Sequence, residues 1–135
     1  MNATKKRDLV YVFTGKITDF PKSTLKDAIK KAELLGEETF KIQTTDGFTI
    51  YERFYDHNTD GTKDIITKKY LRENELTPKE AAEAMLNGER LVDYTHTSDR
   101  AEYRWDGEHF IVFNHYEYDS SEIIKSFSGL HRHNK

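Results

Sequence analysis

The chain contains no cysteine, a single tryptophan and two prolines among its 135 residues. Without cysteine it forms no disulfide, offers no thiolate nucleophile and builds no cysteine-ligated zinc site, a usage that suits a reducing compartment. Long apolar runs are missing as well. No stretch approaches the roughly 18 residues of a membrane span, and Met1 to Asp8 lacks the apolar segment of a secretory signal. The expected location is therefore the compartment of synthesis, the cytoplasm, with no membrane partner. A dominant charge is also absent: 24 acidic and 21 basic residues leave -3 with histidine neutral. No strong field draws a polyanion, so nucleic acid is not the expected partner. The short basic cluster Lys5-Lys6-Arg7 reads as a solvated tail.

What is present is enough to fold. Aromatic residues make up 13% of the chain, supplying large surfaces for burial that a disordered chain lacks. The length suits one domain, expected over residues 1–135 with mobile tails at 1–8 and 131–135.

Leu9 to Ile17 reads as a first strand, interrupted by Gly15 and ended by Pro21. Ser23 or Thr24 caps a helix carrying Leu25, Ala28, Ile29, Ala32 and Leu35 at helical spacing, with Gly36 beyond its end. Phe40, Ile42 and Thr44 alternate with polar residues, and Phe48 and Ile50 resume the alternation after Asp46-Gly47, which predicts a hairpin. A further strand is expected over Asp64 to Leu71. Thr77, Pro78 and Glu80 form the start of a second helix with a capping box, which buries Ala81, Ala84 and Met85 and closes at Gly88. Leu91 to Tyr94 follows as a strand, and Ala101 to Trp105, Asp106-Gly107 and Glu108 to Phe113 make a second hairpin. A short final helix is expected from Glu122 to Phe127, capped by Ser120 or Ser121. The predicted fold class is α+β, mainly antiparallel β-hairpins with two or three helices packed on one face, in the order β-α-β-β-β-α-β-β-β-α. Both halves run from capped helix through glycine and strand to an Asp-Gly hairpin, with few shared identities, as independent assembly of common parts also produces.

The chemical motifs are sparse. Asp56, Asn58, Asp60, Gly61 and Asp64 match the opening of a calcium loop, but Thr67 stands where a bidentate carboxylate is required and Lys63 where an apolar residue belongs. A polar hairpin loop accounts for the same residues. His57, His96, His109 and His115 are scattered, and about 20 Å of extended chain would separate the last two, too far for one ion. No metal and no cofactor are expected. Glu108, His109, His115, Glu117 and Tyr103 are the acid–base candidates, but no spacing assembles them, and there is no phosphate loop or nucleophile elbow. No catalytic residue is assigned.

The densest feature is aromatic: Tyr94, Tyr103, Trp105, Phe110, Phe113, Tyr116 and Tyr118 interleave with Asp93, Asp99, Glu102, Asp106, Glu108, Glu117 and Asp119. Tyrosine and tryptophan beside charge are enriched where proteins bind one another, whereas aromatic platforms for single-stranded nucleic acid need basic flanks. Rings covering a sheet beneath a helix would give the same pattern. The expected partner-binding residues are Tyr103, Trp105, Asp106, Glu108, Tyr116 and Tyr118. Trp105 is the foremost anchor, because it immediately precedes the Asp106-Gly107 turn.

Thr77-Pro78-Lys79-Glu80-Ala81-Ala82-Glu83-Ala84-Met85-Leu86-Asn87-Gly88-Glu89-Arg90, followed by Tyr103-Arg104-Trp105-Asp106-Gly107, resembles small accessory modules of bacteriophage proteins that pair a short helix with an aromatic, tryptophan-containing β-meander. The basic residues usual after the glycine of such modules are mostly missing here. The resemblance spans about residues 76–119. It implies a phage or prophage origin and a small non-enzymatic protein that binds and disables a host or defence protein, of the anti-CRISPR or anti-restriction type. A nucleic-acid-binding accessory protein and a small hydrolase or nuclease are the alternatives. Oligomeric state is not encoded in any feature of the sequence.

Overall fold

The fold is seen in a computed structural model that describes residues 5–72, 74–93, 101–114, 120–124 and 126–132. It divides into two compact units, Met1–Glu73 and Asn74–Lys135, each with its own five-stranded antiparallel sheet, one helix and a separate core.

In the first unit, β1 (Arg7–Phe13) and β2 (Lys16–Ser23) form a hairpin where one strand was expected. Thr14 and Gly15 both adopt positive φ, 44° and 82°, the two-residue turn whose twist matches that of its strands. Pro21 does not end the strand. It lies on β2 at the sheet edge, where a missing N–H costs no ladder bond, and next to a register shift. The adjacent Lys22, at φ 49°, donates its backbone N–H to Asp8 Oδ1 at 3.1 Å. Arg7 and Asp8 thus belong to the sheet rather than to a tail.

Helix α1 (Leu25–Leu34) starts as expected, with the Thr24 hydroxyl accepting from the Asp27 N–H at 3.1 Å. Its contact stripe is built on Ala28 and Ala32, both fully buried, and small side chains there let the helix approach Leu9, Tyr11, Phe20, Phe40 and Ile42 closely. β3 (Phe40–Thr44) and β4 (Thr49–His57) form the Asp46-Gly47 hairpin, with a register shift that places both Ile50 and Tyr51 in the core. β5 (Lys63–Lys69) completes the order β2-β1-β3-β4-β5.

In the second unit, α2 (Pro78–Leu86) carries the expected capping box and buries Ala81, Ala84 and Met85. β6 (Leu91–Asp93), β7 (Ala101–Trp105), β8 (Phe110–Asn114), β9 (Ser120–Ile123) and β10 (Leu130–Arg132) make a sheet ordered β10-β6-β7-β8-β9. The final helix expected over Glu122 to Phe127 does not form. Ser120–Ile123 pairs with β8, and the Ile124 N–H continues that pairing to the Phe110 carbonyl at 2.8 Å. Ladder bonds along an available sheet edge outweigh the local capping signal of two serines. The start of the expected C-terminal tail is also structured: buried Leu130 draws His131 and Arg132 alongside β6, and Arg132 forks onto Glu89 at 2.6 and 3.2 Å.

The described residues therefore contain ten strands and two helices, an α+β fold with one helix fewer and three strands more than the expected order. The repeated parts have different connectivity. The strand flanking the first meander strand precedes the helix in the first unit, as β1, and comes from the chain's far end in the second, as β10.

Candidate functional site

The expected partner-binding residues lie in the second unit. Tyr103 and Trp105 alternate along β7 on the face that packs against the core of Leu76, Met85, Leu91 and Leu130. Tyr103 is half-buried and donates its hydroxyl to Asp93 Oδ2 at 3.1 Å; burial, then the neighbouring Asp93 charge, pushes its pKa up to about 12. The Trp105 ring is also half-buried, 4.8 Å from Phe110, which in turn meets Phe127 edge-on at 4.8 Å. Both rings are thus engaged in intramolecular packing.

Asp106 has a local task. Its Oδ1 accepts the backbone N–H groups of His109 at 2.7 Å and Glu108 at 2.8 Å, and these two bonds hold its pKa below the ordinary carboxylate value. It shapes the turn between β7 and β8. The Glu108 side chain is exposed at that tip. Tyr116 and Tyr118 lie outside the described residues. Tyr103, Trp105, Asp106 and Glu108 therefore share one hairpin, with two rings against the core and two acids at the turn.

A different surface emerges in the first unit, from unequal strand lengths. β3 pairs with β4 only as far as Phe40 opposite Arg53, whereas β4 and β5 remain paired through Phe54–Ile66, Tyr55–Ile65, Asp56–Asp64 and His57–Lys63. The far half of this hairpin is a two-stranded ribbon. Phe54 (36% exposed) and Ile66 (37%) share one face; Tyr55 (37%) and Ile65 (48%) share the other. With no third strand beside them among the described residues, these side chains find less cover than the same residue types receive closer to α1. Tyr55 keeps some partners: its hydroxyl bonds to Glu38, and the Lys63 ammonium lies 5.1 Å from the ring centroid.

The loop at the ribbon tip contains the calcium-like residues. Asn58 donates its amide to Thr62 Oγ1 at 2.9 Å and Asp64 Oδ2 at 3.0 Å, and Asp60 accepts the Thr62 hydroxyl and backbone N–H. These bonds build a hairpin turn and lower the Asp60 pKa, the Thr62 hydroxyl first. Among the described residues, no three histidine, aspartate or glutamate side chains converge as a metal site. No helix among them is long and apolar enough to cross a membrane.

The ribbon was not among the expected sites. Its signal was present in Ile50 to Tyr55 and in Ile65-Ile66, where apolar residues occupy adjacent positions and must project from both faces of a strand. No protein-family model, curated protein or solved structure matches the chain.

Proposed function

We propose that the protein is a non-enzymatic protein-binding module whose main contact surface is the β4–β5 ribbon. The carrying observation is the exposure of Phe54, Tyr55, Ile65 and Ile66 on both faces of one projecting two-stranded element. A soluble domain rarely leaves adjacent large apolar side chains uncovered, and such patches mark surfaces that partners bury. Aromatic residues in particular act as anchors in interfaces. The ribbon carries Asp56, Asp60 and Asp64 together with Lys63, Lys68 and Lys69, a mixture of signs that favours a protein partner over a polyanion. The resemblance of Thr77–Gly107 to phage accessory modules directs the search to a host defence protein, which binding would inhibit.

The test is affinity capture from a bacterial host lysate with three immobilised proteins: wild type, Phe54→Ser combined with Ile66→Ser, and Glu108→Lys at the other hairpin tip. Folding of each is first checked by circular dichroism. A protein retained by wild type and by Glu108→Lys but lost by the ribbon variant supports the reading, and its own activity is then assayed with and without the module. Equal capture by the ribbon variant overturns the ribbon as the contact surface.

A further inference from the structure

The ribbon has an outer edge as well as two faces, and the register determines what that edge presents. β5 ends the strand order of its sheet. The Tyr70 N–H donates to the Ile50 carbonyl at 3.0 Å, the Asn58 N–H donates to the Thr62 carbonyl at 2.9 Å, and the pairing between them runs from Tyr51–Lys69 to His57–Lys63 with no shift. In an antiparallel ladder, alternate residues turn their backbone groups toward the neighbour. Asp64, Ile66 and Lys68 therefore face β4, while Lys63, Ile65, Thr67 and Lys69 direct their N–H and C=O groups outward. All seven residues of β5 are exposed.

An open edge of this length is a template for another strand, and its side chains select which one. Three lysines and one aspartate give β5 a positive balance. Lys63 lies over Tyr55 and Lys68 over Tyr70, at 5.1 and 4.9 Å from the ring centroids, and none of Lys63, Lys68 and Lys69 is in an ion pair among the described residues. Asp64 already accepts the Asn58 amide. In a second copy of β5 paired antiparallel about Ile66, Lys63 would stand opposite Lys69 twice, and this repulsion offsets the two Asp64–Lys68 attractions. An acidic strand meets the opposite situation.

We propose that the outer edge of β5 binds an extended acidic segment of a partner protein by strand addition. Written antiparallel to β5, the segment carries acidic residues opposite Lys69, Lys68 and Lys63 and apolar residues opposite Ile66 and Ile65. The ladder supplies affinity through the outward backbone groups of Lys63, Ile65, Thr67 and Lys69. The lysines supply the sign, and the exposed isoleucines bury the apolar centre. This rests on the ribbon being the contact surface and names the chemistry of what it contacts.

The experiment uses the full chain and a synthetic peptide, Glu-Glu-Thr-Ile-Val-Arg-Glu, blocked at both ends, with a charge-reversed peptide carrying lysine for each glutamate as its control. Amide hydrogen exchange and chemical shifts are followed by NMR. The acidic peptide is expected to protect the amides of Ile65, Thr67 and Lys69, while those of Asp64, Ile66 and Lys68, already bonded to β4, change little. Thr67→Pro removes one outward donor without touching the β4 ladder, so it keeps the fold and weakens the peptide. Lys63→Glu with Lys69→Glu should weaken it by about tenfold or more and admit the charge-reversed peptide instead. Protection by neither peptide, by both equally, or only by a single-stranded DNA oligonucleotide overturns the proposal. If edge protection fails while the Phe54→Ser, Ile66→Ser variant still loses its lysate partner, strand addition is wrong and the ribbon remains a contact surface through its faces. If capture is also unaffected, both readings fall.

Discussion

Thr77 and Glu80 satisfy each other across the first turn of α2: the Glu80 N–H donates to Thr77 Oγ1 at 3.2 Å, and the Thr77 N–H donates to Glu80 Oε1 at 2.9 Å. Thr77 is 2% exposed, so water cannot readily replace either bond. Thr77→Ala is expected to destabilise the protein by about 1–2 kcal/mol, read from the denaturant midpoint. An unchanged midpoint would show that the cap contributes nothing to the folded state.

Thr14 is a β-branched residue held at φ 44°, in a region that glycine and asparagine occupy at lower cost. Thr14→Asn should therefore raise stability, by about 0.5–1 kcal/mol, with the β1–β2 register unaltered. A thermal melt decides the sign. A lower melting temperature would mean that the threonine side chain makes a contribution larger than its backbone strain.

The Tyr11 hydroxyl is buried without a hydrogen-bond partner among the described residues, while its ring packs beside those of Phe20 and Phe40 at centroid distances of 5.9 and 5.4 Å. Burial, followed by the nearby Glu37 charge, raises its pKa. Removing an unsatisfied polar atom and keeping the ring should be neutral or stabilising, so Tyr11→Phe is expected to gain up to about 1 kcal/mol. A loss of that size in the chemical denaturation curve would refute the orphaned hydroxyl.

Tyr103 ties stability to alkaline pH. Its folded pKa of about 12 lies above the ordinary 10.0, so the folded state holds its proton more tightly than the unfolded chain does. The resulting stabilisation is complete below pH 10 and is lost as the pH rises toward 12. Comparing wild type with Tyr103→Phe across this window should show the wild type losing stability more steeply. Parallel pH profiles for the two proteins would rule out the shift.

Trp105 packs on Phe110 at 4.8 Å and belongs to the shell around the second core. Trp105→Ala should accordingly cost about 2–4 kcal/mol, somewhat less than the roughly 3–5 kcal/mol of a fully buried aromatic side chain because the ring is only half covered. Tryptophan fluorescence already shifted to the blue in the native wild type would accompany that result. A variant as stable as wild type would return the ring to the surface as a free anchor.

Much of the local structure was legible in the sequence by itself. The caps at Thr24 and Thr77, the glycines after both helices, and the two Asp-Gly hairpins are set by contacts within a few residues, so the local chemistry determines them. The hairpin at Thr14-Gly15 was hidden because threonine resists positive φ, and only the surrounding ladder holds it there. Ser120-Ser121 offered a helix cap, yet the open edge of β8 captured the segment as a strand, an outcome decided by a neighbour distant from those serines' local turn. Periodicity likewise marked apolar residues without saying how many strands would flank them. Because β3 ends opposite Arg53 and β4 does not, Phe54, Tyr55, Ile65 and Ile66 are left projecting. Because Tyr103 and Trp105 alternate onto the side of Met85 and Leu91, the same kinds of ring became packing there. Residue type and spacing determined the elements; strand pairing, which joins residues far apart in the chain, decided which of their side chains were covered and which edge was left open.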